Sequence, residues 1–269
     1  MSAQEIIHYQ AEENSLKDRV VMVTGAGSGI GKSAAIAYAA AGAMIILAGR
    51  TVEKLEAVYD QIIQTGGKEP LIYPVDFEGA TEDDFNELAN QIDQQFGRLD
   101  GLLLNAGVLG QRTPLAKYRQ DVWDKVFRVN VSSQHLLTKA LMPVLEASDN
   151  ASVIFTTSGV GRVGRAFWGA YAASKFAIGV WCKFGRQKMK GLTRYVSTAS
   201  TLALLALRCA LRPFLQRTQK ALHRLRILCL LIFILWAPTA IKSMVNRSTH
   251  NVKIVYLSIY KPTDLSLTG

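Results

Sequence analysis

Residues 19–31 read RVVMVTGAGSGIG, and this stretch decides the fold. Its first half, RVVMVT, is a run of β-branched and apolar residues with the composition of a buried strand. Its second half, Thr24, Gly25, Ala26, Gly27, Ser28, Gly29, Ile30 and Gly31, is a glycine-rich turn, and an alanine-rich helical stretch follows it to Ala41. Glycine permits a tight turn and lets the main chain approach a pyrophosphate, which then meets the N–H groups at the helix N-terminus. The key positions are Gly25, Gly29 and Gly31, a variant of the common G-x-G-x-x-G spacing. A turn of this kind between a strand and a helix says far more than one in isolation.

The same alternation continues outward. Residues 44–48 (MIILA) form a second apolar run, and a helical pattern covers about 52–65. Residues 71–75 (LIYPV) read as a third strand, with Pro74 awkward for a strand centre. Thr81 precedes Glu82, Asp83 and Asp84, a cap and three acids suited to a helix N-terminus. Strands are expected at 101–104 and 152–157 around a long helical pattern at 117–146, and another helix opens at Gly169. Strands alternating with helices specify a parallel sheet covered on both faces. The expected fold is α/β, a Rossmann-type doubly wound parallel sheet, incomplete after strand five and the start of the following helix.

The residue closing the second strand selects the ribose: an acid binds a 2′-hydroxyl, whereas an arginine suits a 2′-phosphate. Here the order is Ala48, Gly49, Arg50, Thr51. Arg50, with Lys32 as a helper, favours NADP(H), and NAD(H) is the alternative. Reducing a carbonyl also requires a proton for the developing alkoxide. Tyr171 and Lys175 stand at i and i+4 on one helical face, so an ammonium can favour the ionised phenol. Ser158, thirteen residues before Tyr171, ends strand five and offers a hydroxyl to the substrate oxygen. Trp123 and Trp168 read as packing residues, and Arg162 and Arg165 as solvated cations flanking the substrate loop. No metal is called for.

Taken together these motifs resemble the short-chain dehydrogenase/reductase family. The family's turn is matched at residues 24–31, its Asn-Ala-Gly at Asn105, Ala106 and Gly107, and its Tyr-x-x-x-Lys at Tyr171 and Lys175. Its structural asparagine resembles Asn130 and its serine Ser158. The resemblance implies that Tyr171 is the acid/base and that Lys175 binds the ribose and lowers the tyrosine pKa. It further implies that Ser158 orients the carbonyl, that Asn130 holds a water in a proton relay, and that Asp76 contacts the adenine. Residues 159–175 (GVGRVGRAFWGAYAASK) are similar to the bacterial YciK-type oxidoreductases within the family. The implied substrate is a small alcohol or carbonyl compound, and family members are usually homo-oligomers.

Charge and cysteine usage divide the chain. The net charge of +10 arises wholly after residue 178: the part before it holds 16 Lys+Arg and 20 Asp+Glu, the part after it 15 and a single acid, Asp264. All three cysteines, Cys182, Cys209 and Cys229, also lie in the second part, without a disulfide-framework spacing. The polar, acidic start lacks a signal architecture, so a cytoplasmic protein is expected. Two divisions follow: an NADP-binding Rossmann domain at 1–178 and an aberrant basic and apolar tail at 179–269. The family's Asn-Pro-Gly is missing from that tail.

Joining the third base of each codon to the first two of the next explains the tail. Trp181 with Cys182 then gives valine, and Met189 with Lys190 gives glutamate. A permitted choice reads residues 196–207 as Val-Asn-Ser-Ile-Asn-Pro-Gly-Ala-Thr-Arg-Thr. A change of reading frame near Ile178 and Gly179 is the preferred account. The rival account makes the tail an anchor for a membrane-associated oxidoreductase, but the apolar run at 227–237 is half a span and Pro238 interrupts it. No motif in the tail reads nucleic acid. A further alternative is a remnant that binds cofactor without catalysis.

Overall fold

The structure, a computed structural model, describes residues 14–185 and 194–198. Six strands form one sheet: β1 (Val20–Thr24), β2 (Met44–Gly49), β3 (Leu71–Pro74), β4 (Gly101–Leu104), β5 (Ser152–Thr156) and β6 (Arg194–Thr198). Their order across the sheet is β3-β2-β1-β4-β5-β6, and every pairing is parallel. The helices are α1 (Gly29–Ala40), α2 (Val52–Gln64), α3 (Glu82–Phe96), α4 (Gln120–Phe127), α5 (Ser133–Ala140), α6 (Met142–Glu146) and α7 (Gly169–Gly185).

Successive side chains of a strand face opposite sides of the sheet. Val21 and Val23 join Ile45, Leu47, Leu55, Val58 and Ile62 in the core beneath α1 and α2. Val20 and Met22 join Phe85, Leu88, Ile92, Leu137 and Phe155 beneath α3 and α5. Burial on both faces is why the strands read as apolar runs rather than as alternations.

Two sequence expectations change. The sheet does not stop at strand five, because β6 pairs in register with β5 from Ser152 opposite Arg194 to Thr156 opposite Thr198. Arg194–Thr198 (RYVST) carries aromatic and β-branched residues that suit a strand. Beyond it, the rest of the segment read as a change of frame and the apolar run at 227–237 lie outside the described residues. The helical pattern at 117–146 is also broken: α4 starts only at Gln120, a π-helical turn occupies Arg128–Ser132, and α5 and α6 part at Leu141. Pro74, by contrast, is at ease, since β3 is an edge strand and Pro74 is its exposed last residue.

The ends of the sheet are fixed by polar contacts. Thr81 caps α3 with a reciprocal box, its hydroxyl accepting from the Asp84 N–H while the Asp84 carboxylate accepts from the Thr81 N–H. That pairing holds the Asp84 carboxyl below its ordinary pKa. At the N-terminal end of the strands, Asp100 is buried and accepts from the Val20 N–H at 2.9 Å and the Ser148 hydroxyl at 2.6 Å. Arg19 and Arg98 each approach it at 3.3 Å. Asp100→Ala leaves those donors unpaired and should cost about 2 kcal/mol, discounted because both arginines are partly exposed. Urea unfolding followed by circular dichroism measures it; a loss too small to resolve would show the network to be idle.

Candidate active site

The cleft opens at the C-terminal ends of β1 and β4, where the chain connections run off in opposite directions, the usual ligand position in such sheets. Thr24 ends β1, and its buried hydroxyl donates to the Leu103 carbonyl at 3.2 Å. The same oxygen accepts from the N–H groups of Asn105 at 2.9 Å and Ala106 at 3.0 Å. One hydroxyl thus joins the glycine turn to the Asn-Ala-Gly segment.

Within the turn, Gly25 (φ +67°) and Gly29 (φ +55°) take left-handed backbone that disfavours any side chain. A Cβ on Gly31 would collide with the Gly25 carbonyl, and one on Gly25 would sit 3.1 Å from Ala106 Cα. Ser28 stands at the N-cap position of α1, makes no side-chain cap bond and lines the cleft. The Ile30 side chain instead lies in the core, so only its main chain is available to a ligand. The cleft is further lined by Gly49, Arg50, Thr51, Lys54, Leu55, Asp76, Phe77, Ala106, Gly107, Val108 and Lys125. Arg50 and Asp76 are therefore where the sequence reading expects them. Lys32 does not line the cleft, and Lys54 does, in the first turn of α2. The strand-to-helix turn after Arg50 was the signal for it.

The chemical end is assembled by β5, the π-helical turn and α7. Lys175 is buried and donates to the Thr156 carbonyl at 2.8 Å, with its ammonium 5.7 Å from the Tyr171 ring centre. Asn130, also buried, holds Val108 from both sides: its Oδ1 accepts from the Val108 N–H at 2.8 Å and its amide donates to the Val108 carbonyl at 2.9 Å. The amide also donates to the Ser174 hydroxyl at 3.0 Å, and Ser174 donates to the Tyr171 carbonyl at 2.8 Å. A Cβ on Gly107 would press on Asn130 Oδ1 at 3.1 Å and lie 3.7 Å from Lys175 Nζ.

Both amide hydrogens of Asn130 are taken by protein oxygens, so its side chain fixes the segment over Lys175.

Burial pushes the Tyr171 phenol above its ordinary pKa, and the neighbouring Ser158 hydroxyl pulls it back in part. The net direction is thus upward, and the Lys175 ammonium donates to the Thr156 carbonyl. Ser158 Oγ is buried and makes no hydrogen bond of standard geometry. Trp168 packs with Val160, Ala172, Leu109 and Tyr171, as a packing residue should, while Trp123 stacks on Phe127 with ring centres 5.2 Å apart.

Residues 19–194 match the short chain dehydrogenase family model. The chain is 47% identical over 171 residues to the uncharacterised oxidoreductase YciK of Escherichia coli K12, a match covering 64% of this chain and 68% of that protein. A short chain dehydrogenase from Shigella flexneri 2a, complexed with NADP, superposes with a TM-score of 0.67 at 42% identity, covering 70% of this chain and 79% of that one. Another, from Escherichia coli CFT073 and complexed with NADPH, gives a TM-score of 0.77 at 36% identity, covering 86% and 96%. The chain belongs to the short-chain dehydrogenase family of oxidoreductases.

Proposed function

We propose that this chain interconverts an alcohol and a carbonyl, with NADP(H) as hydride carrier and Tyr171 as acid/base. The observation that carries the reading is the meeting of Tyr171, Ser158 and Lys175 beside Gly107: the three do not line the cleft themselves, but Gly107 does, and a Cβ on it would lie 3.7 Å from Lys175 Nζ. The cleft suits a dinucleotide on its own terms. Nothing lies within 4 Å of where a Gly29 Cβ would stand, so main chain is open to a pyrophosphate at the start of α1. Arg50 and Lys54 line the other end and form no ion pair among the described residues, a setting for a 2′-phosphate. The NADP and NADPH complexes of the two similar structures favour the same choice.

When bound, the nicotinamide supplies or takes the hydride. Ser158 Oγ, buried and without a standard partner, is available to hold the substrate oxygen. Tyr171 Oη gives its proton to that oxygen in reduction and takes it back in oxidation. Lys175, Asn130 and Ser174 fix the helix turn that carries the phenol. The raised pKa leaves the phenol neutral at pH 7, the form that reduction consumes. Reduction should therefore slow as pH climbs through the phenol's pKa, whereas oxidation, which needs the phenolate, should speed up.

Turnover by this chain is expected to be slow. By resemblance the missing Asn-Pro-Gly contacts the nicotinamide, and misplacing reacting atoms can cost on the order of a hundredfold. The coding sequence over codons 176–184 tests the change of frame itself. Among the described residues no helix is long and apolar enough to cross a membrane, and nothing favours the anchored alternative.

Tyr171→Phe should lower NADPH-dependent aldehyde reduction by at least about a hundredfold and leave NADPH quenching of tryptophan emission within about twofold. Wild-type quenching without any turnover would instead mark a cofactor-binding remnant. Gly31→Ala should abolish the quenching, because its Cβ displaces the Gly25 carbonyl. Arg50→Asp should reverse the preference between NADPH and NADH, and an unchanged ratio of binding constants removes Arg50 from the site.

A further inference from the structure

The mouth of the site carries a cation that the proposed reaction does not use. Arg112 lies seven residues beyond Asn105, and its guanidinium stands over the Trp168 indole, 4.9 Å from the ring centre. The Trp168 ring centre is in turn 6.0 Å from that of Tyr171. One indole therefore borders both the guanidinium and the acid/base phenol. Arg112 is exposed and forms no ion pair or hydrogen bond among the described residues. A guanidinium stacked by its face keeps its N–H edge free, and that edge matches a carboxylate or phosphate in two parallel bonds.

The arrangement is held from below. Gly110 (φ +69°) turns the chain just before Arg112, and a Cβ there would meet the Tyr118 hydroxyl at 2.8 Å. A Cβ on Gly169, next to Trp168, would meet the same ring at 2.7 Å. Tyr118 thus wedges between the two loops and fixes their spacing. Phe167 takes left-handed backbone (φ +69°), which turns the following Trp168 inward while Phe167 stays exposed.

Charge points the same way. Residues 107–118 and 158–170 contain no acid, yet they hold Arg112, Lys117, Arg162 and Arg165. The remainder of residues 1–178 is strongly acidic, since the whole of that part carries four more acids than bases. Positive charge on the two segments that carry Arg112 and Trp168, in an otherwise acidic domain, favours the approach of anions to them.

We infer that the substrate is an anionic carbonyl compound, or the matching alcohol, whose carboxylate or phosphate lies a few bonds from the reacting carbon and is bound by Arg112 on the Trp168 face. The inference rests on the proposed site, since it takes Tyr171 as the reacting end. It adds the substrate class.

The test reads binding, so it does not depend on turnover. The full chain, with and without NADPH, is titrated calorimetrically with para-(hydroxymethyl)benzoate and with its methyl ester. The carboxylate should bind about ten-fold more tightly than the ester, and the gap should narrow as salt is raised. Arg112→Gln, at an exposed position, should bring the two affinities together, and Arg112→Lys should keep part of the gap. Equal affinities in the wild type, a gap that survives Arg112→Gln, or no measurable binding of the carboxylate overturns the inference. Failure of the underlying reading looks different: the carboxylate preference is present, but NADPH oxidation with para-carboxybenzaldehyde is indifferent to Tyr171→Phe.

Discussion

The molecule depends on what one buried hydroxyl does at the end of β1. A threonine oxygen has one proton to donate and two lone pairs to accept with. Thr24 uses all three, giving its proton to Leu103 and receiving the Asn105 and Ala106 N–H groups. These partners lie on and just beyond β4, the strand that pairs with β1 although 76 residues separate Thr24 from Gly101 in sequence. The contact closes the gap between two strands whose connections leave in opposite directions. Without it, four main-chain and side-chain groups would be buried at the floor of the cleft with partners to find elsewhere.

From that point order is passed to the chemical groups through short, saturated contacts. Gln134 donates to the Ala106 carbonyl at 2.7 Å, and Asn105 accepts from Thr156 at 3.3 Å. Gly107 then lies against Asn130, which clasps Val108 and reaches Ser174, which in turn bonds the Tyr171 carbonyl. The π-helical turn matters because its extra residue re-aims Asn130 inward from a helix that otherwise presents α4 and α5 in a different phase. The same region clamps the loop after β3: Arg128 donates to the carbonyls of Glu78 and Ala80, and Ser133 donates to that of Phe77. The two ends of the cleft are thus tied to one helical segment.

Much of this was legible in the residues, and the exceptions have physical causes. The strands were readable because burial on both faces makes them continuous apolar runs, and Thr81 announced α3 through a local capping pattern. The spacing of Tyr171 and Lys175 is a property of one helix, so it too could be read directly. What could not be read depends on contacts between distant segments. The π-helical turn contains Asn130, whose bonds reach Val108 and Ser174 in distant segments, and no local pattern announces it. The direction of the Tyr171 pKa shift is set by burial, which outweighs the pull of the Ser158 hydroxyl, and sequence does not supply the burial. Arg112 is invisible for the same reason, since nothing local distinguishes it from a surface cation until the indole is in place, whereas Lys54 could have been found from the strand-to-helix turn after Arg50.

The location of these groups can be set against the shift in charge and cysteine usage after residue 178. Every side chain argued to touch cofactor or substrate lies between Thr24 and Lys175, and their mutual contacts are made within that span. The sheet that carries them is extended on the β5 side by β6, whose five residues have strand-forming character although they lie in the basic part of the chain after residue 178. The mutual contacts of the chemical groups are therefore made before the composition changes, and what the sheet draws from the later part is the β6 partner along β5.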